Sequence, residues 1–191
     1  MPNIIEQSEM LDWAGINFGE ETTYLLQKSI KRLAVMSGAD SVQFCGKIFG
    51  QKCDYWVACG ELAKEEDQID NHCEPRGSGV NKVVFWVTTN LLNDWVQLPD
   101  ARPEHIIAAR KIKHVLTGDL NATFDSNPTF PGKERHFLRA QLARIFHATA
   151  IVPQGMLTYD DETKQITFSE DYEPKSTEAL NELGSWTNLH Q

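Results

Sequence analysis

The stretch "SVQFCGKIFGQKCDYWVACGE", residues 41–61, indicates the fold class of this chain. Aromatic and β-branched residues lie on both sides of a polar, glycine-containing break at residues 50–52, a pattern that predicts two strands joined as a hairpin. Apolar residues occupy both alternating positions of the first strand, so we expect the sheet to be covered on both faces. The runs "VVFWVT", residues 83–88, and "WVQL", residues 95–98, predict a third strand and a shorter fourth.

Three amphipathic helices are predicted around these strands. The first covers residues 22–36, where apolar side chains recur every three or four positions, and Gly38 follows as a C-terminal stop. The second begins at Pro103 and ends at Gly118. The third begins at Glu134 and has an apolar and a basic face. Its inward residues should be Leu138, Leu142, Ile145 and Phe146, and its outward residues Arg135, Arg139 and Arg144.

The order of these elements, a helix, then three or four strands, then helices, predicts an α+β fold. We expect an antiparallel β-sheet core with amphipathic helices packed on it, followed by an acidic C-terminal tail. We place a core domain at residues 1–158 and an acidic, partly extended segment at residues 159–191. Within that segment "KQITFSE" is consistent with an edge strand and "STEALNELGSW" with a short helix that Ser176 or Thr177 would cap.

The formal net charge is −9, from 18 basic and 27 acidic residues, and this acidity argues against nucleic-acid binding. The charge is unevenly distributed, since residues 80–158 hold nine basic and six acidic groups whereas residues 159–191 carry a net charge of −6. Such polarity can orient protein partners or simply keep the chain soluble. No apolar run is long enough to span a membrane and no signal-peptide pattern is present, so we expect a cytosolic protein without membrane contact.

The stretch "EPRGSGVNK", residues 74–82, has the glycines and basic residues of a phosphate-binding loop. Such a loop leads from a strand into a helix, whose N-terminus supplies amides to the phosphates, but this stretch leads into a strand. We expect Gly77 and Gly79 to adopt positive φ in a sharp turn, and Arg76 and Lys82 to pair with carboxylates or a partner subunit. A nucleotide- or phosphate-binding enzyme that uses the Gly77–Lys82 loop stays the alternative, although no catalytic motif accompanies the loop and we expect no cofactor.

The cysteines allow a zinc-stabilised binding module as a third possibility. Structural zinc sites usually have paired ligands two to four residues apart, and no such pair is present here. We therefore expect no metal, and we interpret the cysteines as reduced, small, buried apolar groups, as is usual inside cells. The residues concerned are Cys45, Cys53, Cys59 and Cys73, with His72 as a further ligand.

Aromatic residues of the predicted strands and basic residues near them form the candidate site. Such residues either fill the core or form an interface, because tryptophan, tyrosine and arginine dominate binding hot spots. The sequence leaves both interpretations open. The candidates are Tyr55, Trp56, Arg76, Trp86, Trp95, Arg110 and Arg139, and the second helix should also expose Lys111 and Lys113.

Five blocks of the sequence, between about residues 12 and 153, resemble the radial spoke head proteins of motile cilia, of the subunit four and six type. The blocks occur in the family's order and with similar spacing, and the second and third are the most specific. They are "WAGINFGEETTYLLQKSIKRLA", "FCGKIFGQKCDYWVACGE", "EPRGSGVNKVVFWVT", "WVQLPDARPEHIIAARKIKHVLTGDL" and "PTFPGKERHFLRAQLARI".

The resemblance implies a non-enzymatic structural subunit of the axoneme, in the cytoskeleton of the cilium. It implies assembly with a homologous partner subunit and further spoke proteins, as a hetero- or homodimer within a large complex. It also implies indirect contact with the central-pair projections, through which signals reach dynein. Three residues depart from the family pattern: Cys45 stands where the family commonly has tryptophan, and Cys53 and Cys59 also differ. The family's longer members continue into a further C-terminal block, whose contacts cannot be carried over to this chain.

Overall fold

The structure of the protein is a computed structural model that describes residues 3–12, 15, 17–39, 41–62, 73–160 and 165–190. By their internal contacts the residues divide into two compact units, Met1–Gln141 and Leu142–Gln191. This division does not test the domain boundary that we place at residue 158, which stays a prediction. None of the helices in the described residues is long and apolar enough to cross a membrane.

The first unit is built on a four-stranded antiparallel sheet, which confirms the predicted α+β fold. The strands have the same order in the sheet as in the chain, and the predicted hairpin joins the first two. A β-bulge interrupts the pairing of these two strands between Phe44 and Gly46. The strands are β1 Ser41–Ile48, β2 Tyr55–Glu61, β3 Val83–Thr88 and β4 Val96–Gln97.

Four α-helices are present in the described residues: α1 Ile4–Asp12, α2 Glu20–Ser37, α3 Pro103–Lys111 and α4 Glu134–Ala148. Helix α2 confirms the predicted first helix. Gly38 ends it with a φ of 65°, a left-handed conformation that favours glycine. The sequence pattern does not predict helix α1.

Helices α1 and α2 pack against one face of the sheet. Leu26, Ile30 and Leu33 of α2 are at most 5% exposed, and they form one buried cluster with Trp56 of β2 and Trp86 of β3. Full burial of each such side chain contributes about 1.5–3 kcal/mol. This cluster is therefore a principal source of stability for the first unit.

The first turns of α4 pack against the opposite face of the sheet. Tyr55 of β2 donates a hydrogen bond of 2.8 Å to Glu134, and the guanidinium of Arg139 lies 4.9 Å from the centre of the Phe85 ring on β3. Phe137, between these two contacts in the sequence, is 1% exposed. Both faces of the sheet are thus covered, as the apolar residues on both faces of β1 predict.

Helix α3 is shorter than predicted, because it ends at Lys111 and not at Gly118. Ile112 is already extended, with φ −108° and ψ 130°. The following residues make backbone contacts with the β1–β2 turn: the amide of Gln51 donates to the carbonyl of Leu116 at 2.8 Å, and the next amide donates to the next carbonyl at 3.0 Å. The apolar spacing of these residues would also suit a helix. Their hydrogen bonds to a distant turn favour the extended chain instead.

Helix α4 begins where predicted, but three of its side chains do not face as expected. Arg139, predicted to face outward, is 3% exposed. Its guanidinium is buried because it donates hydrogen bonds to backbone carbonyls and lies over an aromatic ring. Ile145 and Phe146, predicted to face inward, are 49% and 43% exposed. The first unit includes α4 as far as Gln141, whereas Ile145 and Phe146 belong to the second unit.

The irregular segment before α4 is held by aromatic stacking. Phe124 and Phe130 stack with ring centres 5.5 Å apart, and both contact Phe137 edge to face. His114 stacks on Phe124 with ring centres 3.9 Å apart. The two phenylalanines thus attach the segment to α4.

The second unit contains two antiparallel strand pairs in its described residues, β5 Thr149–Pro153 with β8 Trp186–His190, and β6 Leu157–Asp160 with β7 Gln165–Phe168. Strand β7 confirms the strand predicted in "KQITFSE". The predicted short helix takes the form of two 3₁₀ turns, Ala179–Asn181 and Leu183–Ser185, and Ser176 accepts the amide of Ala179 at 3.3 Å. The segment is shorter than the roughly 12–15 residues that make an isolated helix stable. The acidic tail stays a prediction.

Candidate interaction surface

The turn at residues 74–82 is held in shape by one of its own carboxylates. Glu74 accepts a hydrogen bond of 2.6 Å from the amide of Val80, and Gly77 and Gly79 have φ angles of 79° and 49°. The positive φ predicted for both glycines is therefore confirmed. The positive φ favours glycine at position 79, and a Cβ there would have to displace the Glu74 carboxylate.

This geometry gives no support to the nucleotide alternative. The amide of Val80, which a phosphate would need, already binds the carboxylate of Glu74. The turn leads through a 3₁₀ turn, Gly79–Asn81, into β3. A phosphate-binding loop would instead lead into an α-helix.

Asn81 and Arg139 hold the same turn from the protein interior. Asn81 is 1% exposed; its Nδ2 donates to the carbonyl of Glu74 at 2.8 Å, and its Oδ1 accepts the amide of Ala101 at 2.8 Å. Arg139 Nη2 donates to Asn81 Oδ1 and to the carbonyl of Val80, both at 3.0 Å. The position of the turn is therefore fixed by contacts with two other parts of the chain, the Arg139 side chain and the backbone amide of Ala101.

Arg139 is a buried cation that forms no ion pair among the described residues. Burial lowers the pKa of Arg139 to about 10, and the charge of Asp100 acts in the opposite direction. The guanidinium therefore stays charged at neutral pH. Carbonyl oxygens and the face of Phe85 replace part of its hydration, while Nη1 has no hydrogen-bond partner in the described part of the chain.

Arg76 joins the turn to the segment before α3. Its Nε lies 2.9 Å from Asp100 Oδ1 and 3.2 Å from Oδ2. Lys82 lies 3.5 Å from Glu61. Both contacts agree with the predicted pairing of these cations with carboxylates. Because exposed ion pairs contribute at most about 1 kcal/mol, the exposed Lys82–Glu61 pair orients the turn more than it stabilises the fold, whereas the Arg76–Asp100 pair is partly buried.

A cleft of about 420 Å³ lies beside the Arg76–Asp100 pair. His105 and His136 line it, with ring centres 4.9 Å apart. Burial lowers the pKa of His105, and burial, followed by the charges of His105 and Arg135, lowers the pKa of His136. Both rings are therefore mainly neutral at pH 7. The cleft presents both signs of charge and two neutral imidazoles, an arrangement that suits contact with polar protein side chains.

Glu134 lies at a second set of buried polar contacts, on the other side of α4's first turn. It is 0% exposed and accepts hydrogen bonds from the Thr117 amide and hydroxyl, both at 2.8 Å, and from the Gly118 amide at 3.0 Å. Tyr55 donates the fourth, at 2.8 Å. Burial, and then the bond to Glu134, raise the pKa of Tyr55 above its ordinary value. These contacts satisfy a buried carboxylate and connect β2, residues 117–118 and α4.

The structure places the aromatic candidates in or near the core. Tyr55, Trp56 and Trp86 are 0%, 8% and 3% exposed. Trp95 is half-buried, and its indole Nε1 donates to Ser29 Oγ on α2 at 2.8 Å. These positions favour packing over direct partner contact for the four aromatic candidates.

The three basic candidates differ in burial: Arg139 is buried, Arg76 is half-buried and Arg110 is exposed on α3. The turn at residues 74–82 contacts both Arg76 and Arg139. Sequence reasoning missed Asn81 and Glu134, which form most of the buried polar contacts. Glu134 carries only the signal of a helix start and Asn81 only that of a turn residue, and neither signal reveals a long-range partner.

The expectation of reduced cysteines is wrong for one pair. Cys45 and Cys59 form a disulfide, with Cα atoms 6.2 Å apart, while Cys53 is free and exposed. Cys45 is the extra residue at the β-bulge, which brings it beside Cys59 of β2. Spacing in the sequence cannot show that bulge.

The zinc possibility gains no support from this arrangement. The disulfide uses two of the four cysteines, and Cys73, which lies outside the disulfide, is half-buried. His72 lies outside the described residues. Within the described ranges, no group of three histidine, cysteine or acidic side chains could hold a metal ion.

Comparison with known proteins agrees with the resemblance seen in the five sequence blocks. Flagellar radial spoke protein 4 of Chlamydomonas reinhardtii is 30% identical over an alignment of 210 residues, which covers 98% of this chain and 45% of that protein. Radial spoke head protein 4 homolog A of Homo sapiens is 31% identical over 197 residues, covering 85% of this chain and 28% of that protein. Radial spoke head protein 6 homolog A of Xenopus tropicalis is 30% identical over 200 residues, covering 85% and 38%.

The chain thus spans less than half the length of these curated relatives. The family model described as radial spokehead-like protein matches residues 1–75 and 68–191, which together extend over the whole chain. The turn, the sheet and both sets of buried polar contacts all lie within the matched residues. The chain therefore belongs to the radial spokehead-like family, whose members are radial spoke head proteins of ciliary and flagellar axonemes.

Proposed function

We propose that this chain is a non-enzymatic structural subunit of the axonemal radial spoke head. It assembles there with a homologous partner subunit and with further spoke proteins, as a hetero- or homodimer within the larger complex. The observation that carries the proposal is the family match over the whole chain. The relatives are named as flagellar radial spoke and radial spoke head proteins, and this chain aligns with part of each.

The geometry of the first unit supports a scaffold. Asn81 of the turn itself, Arg139 of α4 and the Arg76–Asp100 pair hold an exposed turn in one conformation. A surface fixed before binding loses little conformational entropy when a partner docks. Through such docking the subunit would transmit signals between the central apparatus and the dynein arms.

Cross-linking of intact axonemes tests this proposal. Motile cells would carry a tagged copy of the chain, and isolated axonemes would be cross-linked and analysed by mass spectrometry. We expect the tag in the axonemal fraction, with cross-links to other spoke head subunits and few to tubulin. A chain recovered only in the detergent-soluble fraction would contradict the proposal.

A ligand screen tests the enzyme alternative separately. A nucleotide that binds the folded state raises the melting temperature by mass action, by an amount set by its concentration relative to Kd. We expect no shift with adenosine or guanosine triphosphate, with or without magnesium. A shift that Glu74→Gln enlarges would revive the alternative, because that variant removes the negative charge that competes with a phosphate for the amide of Val80.

A further inference from the structure

Helix α3 and the extended residues after it expose a set of cations interleaved with apolar side chains. We call this surface the basic ridge, and it consists of Ile107, Arg110, Lys111, Lys113 and Val115. Ile107 and Val115 are 56% and 60% exposed, and the three cations are also exposed, as predicted for them from the sequence. None of the three forms an ion pair within the described residues.

The chain conformation makes these five residues continuous. In α3, residues three and four apart share a face, so Ile107 lies beside Arg110 and Lys111. The chain is extended from Ile112, and alternate residues of an extended chain share a side, so Lys113 and Val115 lie together. The buried residues Ala109, Ile112 and Leu116 alternate with the ridge and face the interior.

The second unit exposes a surface of opposite charge. We call it the acidic strip, and it consists of Glu170, Asp171, Glu173, Glu178 and Glu182. All five are exposed, and Phe168 at the start of the strip is 70% exposed. The strip accounts for much of the net charge of −6 that residues 159–191 carry.

We propose that the basic ridge of one molecule binds the acidic strip of a second copy of this chain. Opposite charges steer the two surfaces together and fix their register. The exposed apolar side chains of the ridge, and Phe168 beside the strip, then supply area that loses contact with water. A second copy supplies the complementary carboxylates itself, in its own acidic strip.

The proposed contact is reciprocal if the two molecules are related by a twofold axis. Each molecule then contributes one ridge and one strip, and the two equal contacts close the dimer without unpaired surfaces that could extend it. Exposed ion pairs are weak one by one and are screened by salt. We therefore expect a dimer that weakens as ionic strength rises. This inference rests on the proposed assembly function. It adds which surfaces of two copies, the basic ridge and the acidic strip, would be in contact.

Matched charge reversals in the full chain test the contact. The ridge variant is Lys111→Glu with Lys113→Glu, and the strip variant is Asp171→Lys with Glu173→Lys. The control is Lys28→Glu with Lys31→Glu, which makes the same charge change at two exposed positions of α2. Sedimentation equilibrium would measure association at about 0.05 M and about 0.5 M salt, where the screening length differs roughly threefold.

We expect the wild-type chain to dimerise at low salt and to dissociate at high salt. Each reversal should weaken self-association at least tenfold relative to the control, and an equimolar mixture of the ridge and strip variants should restore it. Circular dichroism would verify folding, and Lys111→Gln with Lys113→Gln would replace a misfolded ridge variant. A wild-type monomer at low salt, reversals no weaker than the control, or a mixture that does not recover would each overturn the proposal. A monomer that still incorporates into axonemes would remove this inference and leave the proposed function intact.

Discussion

The hydroxyl of Tyr55 donates a hydrogen bond of 2.8 Å to Oε1 of Glu134, a carboxylate with no exposed surface. The two residues are 79 positions apart, one on β2 and the other at the start of α4. Thr117 and Gly118 complete the contacts of the carboxylate, and the carbonyls of residues 116 and 117 accept amides of the β1–β2 turn. Glu134 therefore connects three separate segments of the first unit.

Removal of the Tyr55 hydroxyl should destabilise the first unit. Tyr55→Phe leaves one lone pair of a buried carboxylate unsatisfied, which costs about 1.5–3 kcal/mol because the acceptor is charged. Urea unfolding would measure the loss of free energy. Tyr24→Phe is the control, since Tyr24 is 59% exposed and its change should be within about 0.5 kcal/mol.

Replacement of the carboxylate gives a second readout of the same contacts. Glu134→Gln would bring an amide donor to a site at which Thr117 and Gly118 both donate, so we expect a larger loss than for Tyr55→Phe. If Glu134→Gln and Tyr55→Phe both unfold at the wild-type urea concentration, the structural role of Glu134 is wrong.

The sheet and most helix starts are predictable from the sequence, because they depend on local periodicity. The hairpin at residues 50–52, the strand at residues 83–88 and the stop at Gly38 all follow from neighbours within a few positions. The predicted end of α3 fails for the complementary reason. Its apolar spacing suits a helix as far as Gly118. However, the carbonyls of residues 116 and 117 accept hydrogen bonds from the β1–β2 turn, which lies far away in the chain.

The candidate surface was less predictable, because burial of a polar side chain depends on partners that periodicity does not identify. Arg139 lies on the basic face of a helical pattern, yet it is 3% exposed. Two backbone carbonyls and the side chain of Asn81 accept hydrogen bonds from its guanidinium. The glycines of the turn at residues 74–82 were recognisable from φ requirements alone. The Cys45–Cys59 disulfide depends on a β-bulge that adds one residue to β1, and no spacing rule reveals it.

Shortening the guanidinium of Arg139 should loosen the turn at residues 74–82. Arg139→Lys keeps the charge, but one ammonium cannot reproduce the contacts with Val80 and Asn81 in the same geometry. We expect the amides of Gly77 and Lys82 to exchange with deuterium roughly tenfold faster, which corresponds to about 1.4 kcal/mol.

Hydrogen exchange with mass spectrometry would measure the effect, and Arg110→Lys provides the matched control. Arg110 is exposed, so its substitution should leave the turn unchanged. Equal protection of the turn in the Arg139→Lys variant and the wild type would show that the turn holds its conformation without the guanidinium.

Acid should destabilise the first unit through His105 and His136. Folding lowers the pKa of both rings below the ordinary value of about 6.5, so the folded state disfavours their protonated forms. The stability that these groups contribute is therefore fully present above about pH 6.5 and is lost as pH falls through the lowered pKa values. Arg102 and Arg135 add to the lowering, whereas Glu104 opposes it at His105.

Urea unfolding at about pH 7.5 and about pH 5.5 would measure this loss. The double variant His105→Gln with His136→Asn keeps a donor for the carbonyl of Pro131 and an acceptor for the amide of Lys133, but it cannot be protonated. Its stability should fall less between the two pH values. His147→Gln, at an exposed position, is the control, and a double variant that keeps the full wild-type pH dependence would refute this assignment.

Thiol counting should find two cysteines outside the single disulfide. Protein purified without reductant and alkylated after denaturation should carry label on Cys53 and Cys73, with Cys45 and Cys59 joined in one peptide pair. Cross-linking of residues 14 positions apart stabilises a fold by roughly 3 kcal/mol in the chain-entropy account. Cys45→Ser should therefore lower stability, whereas Cys53→Ser should not. Four labelled cysteines would contradict the disulfide.

Truncation of Trp86 should prevent incorporation into the spoke head by destabilising the fold, not by removing a partner contact. Trp86 is 3% exposed and packs with Leu26, Ile30 and Leu33, so Trp86→Ala should cost about 3–5 kcal/mol, a large part of the stability of a domain. Leu92→Ala, at a position 65% exposed, should have little effect.

The two explanations for lost incorporation differ in their response to restored stability. A destabilised chain should regain axonemal incorporation when cells grow at a lower temperature, because the folded fraction rises as the temperature moves away from the melting point. A lost interface contact would persist at every temperature at which the chain is folded. Incorporation and the melting temperature of Trp86→Ala should therefore recover together. A folded Trp86→Ala variant that still fails to incorporate would assign Trp86 to an interface, the alternative that the sequence leaves open.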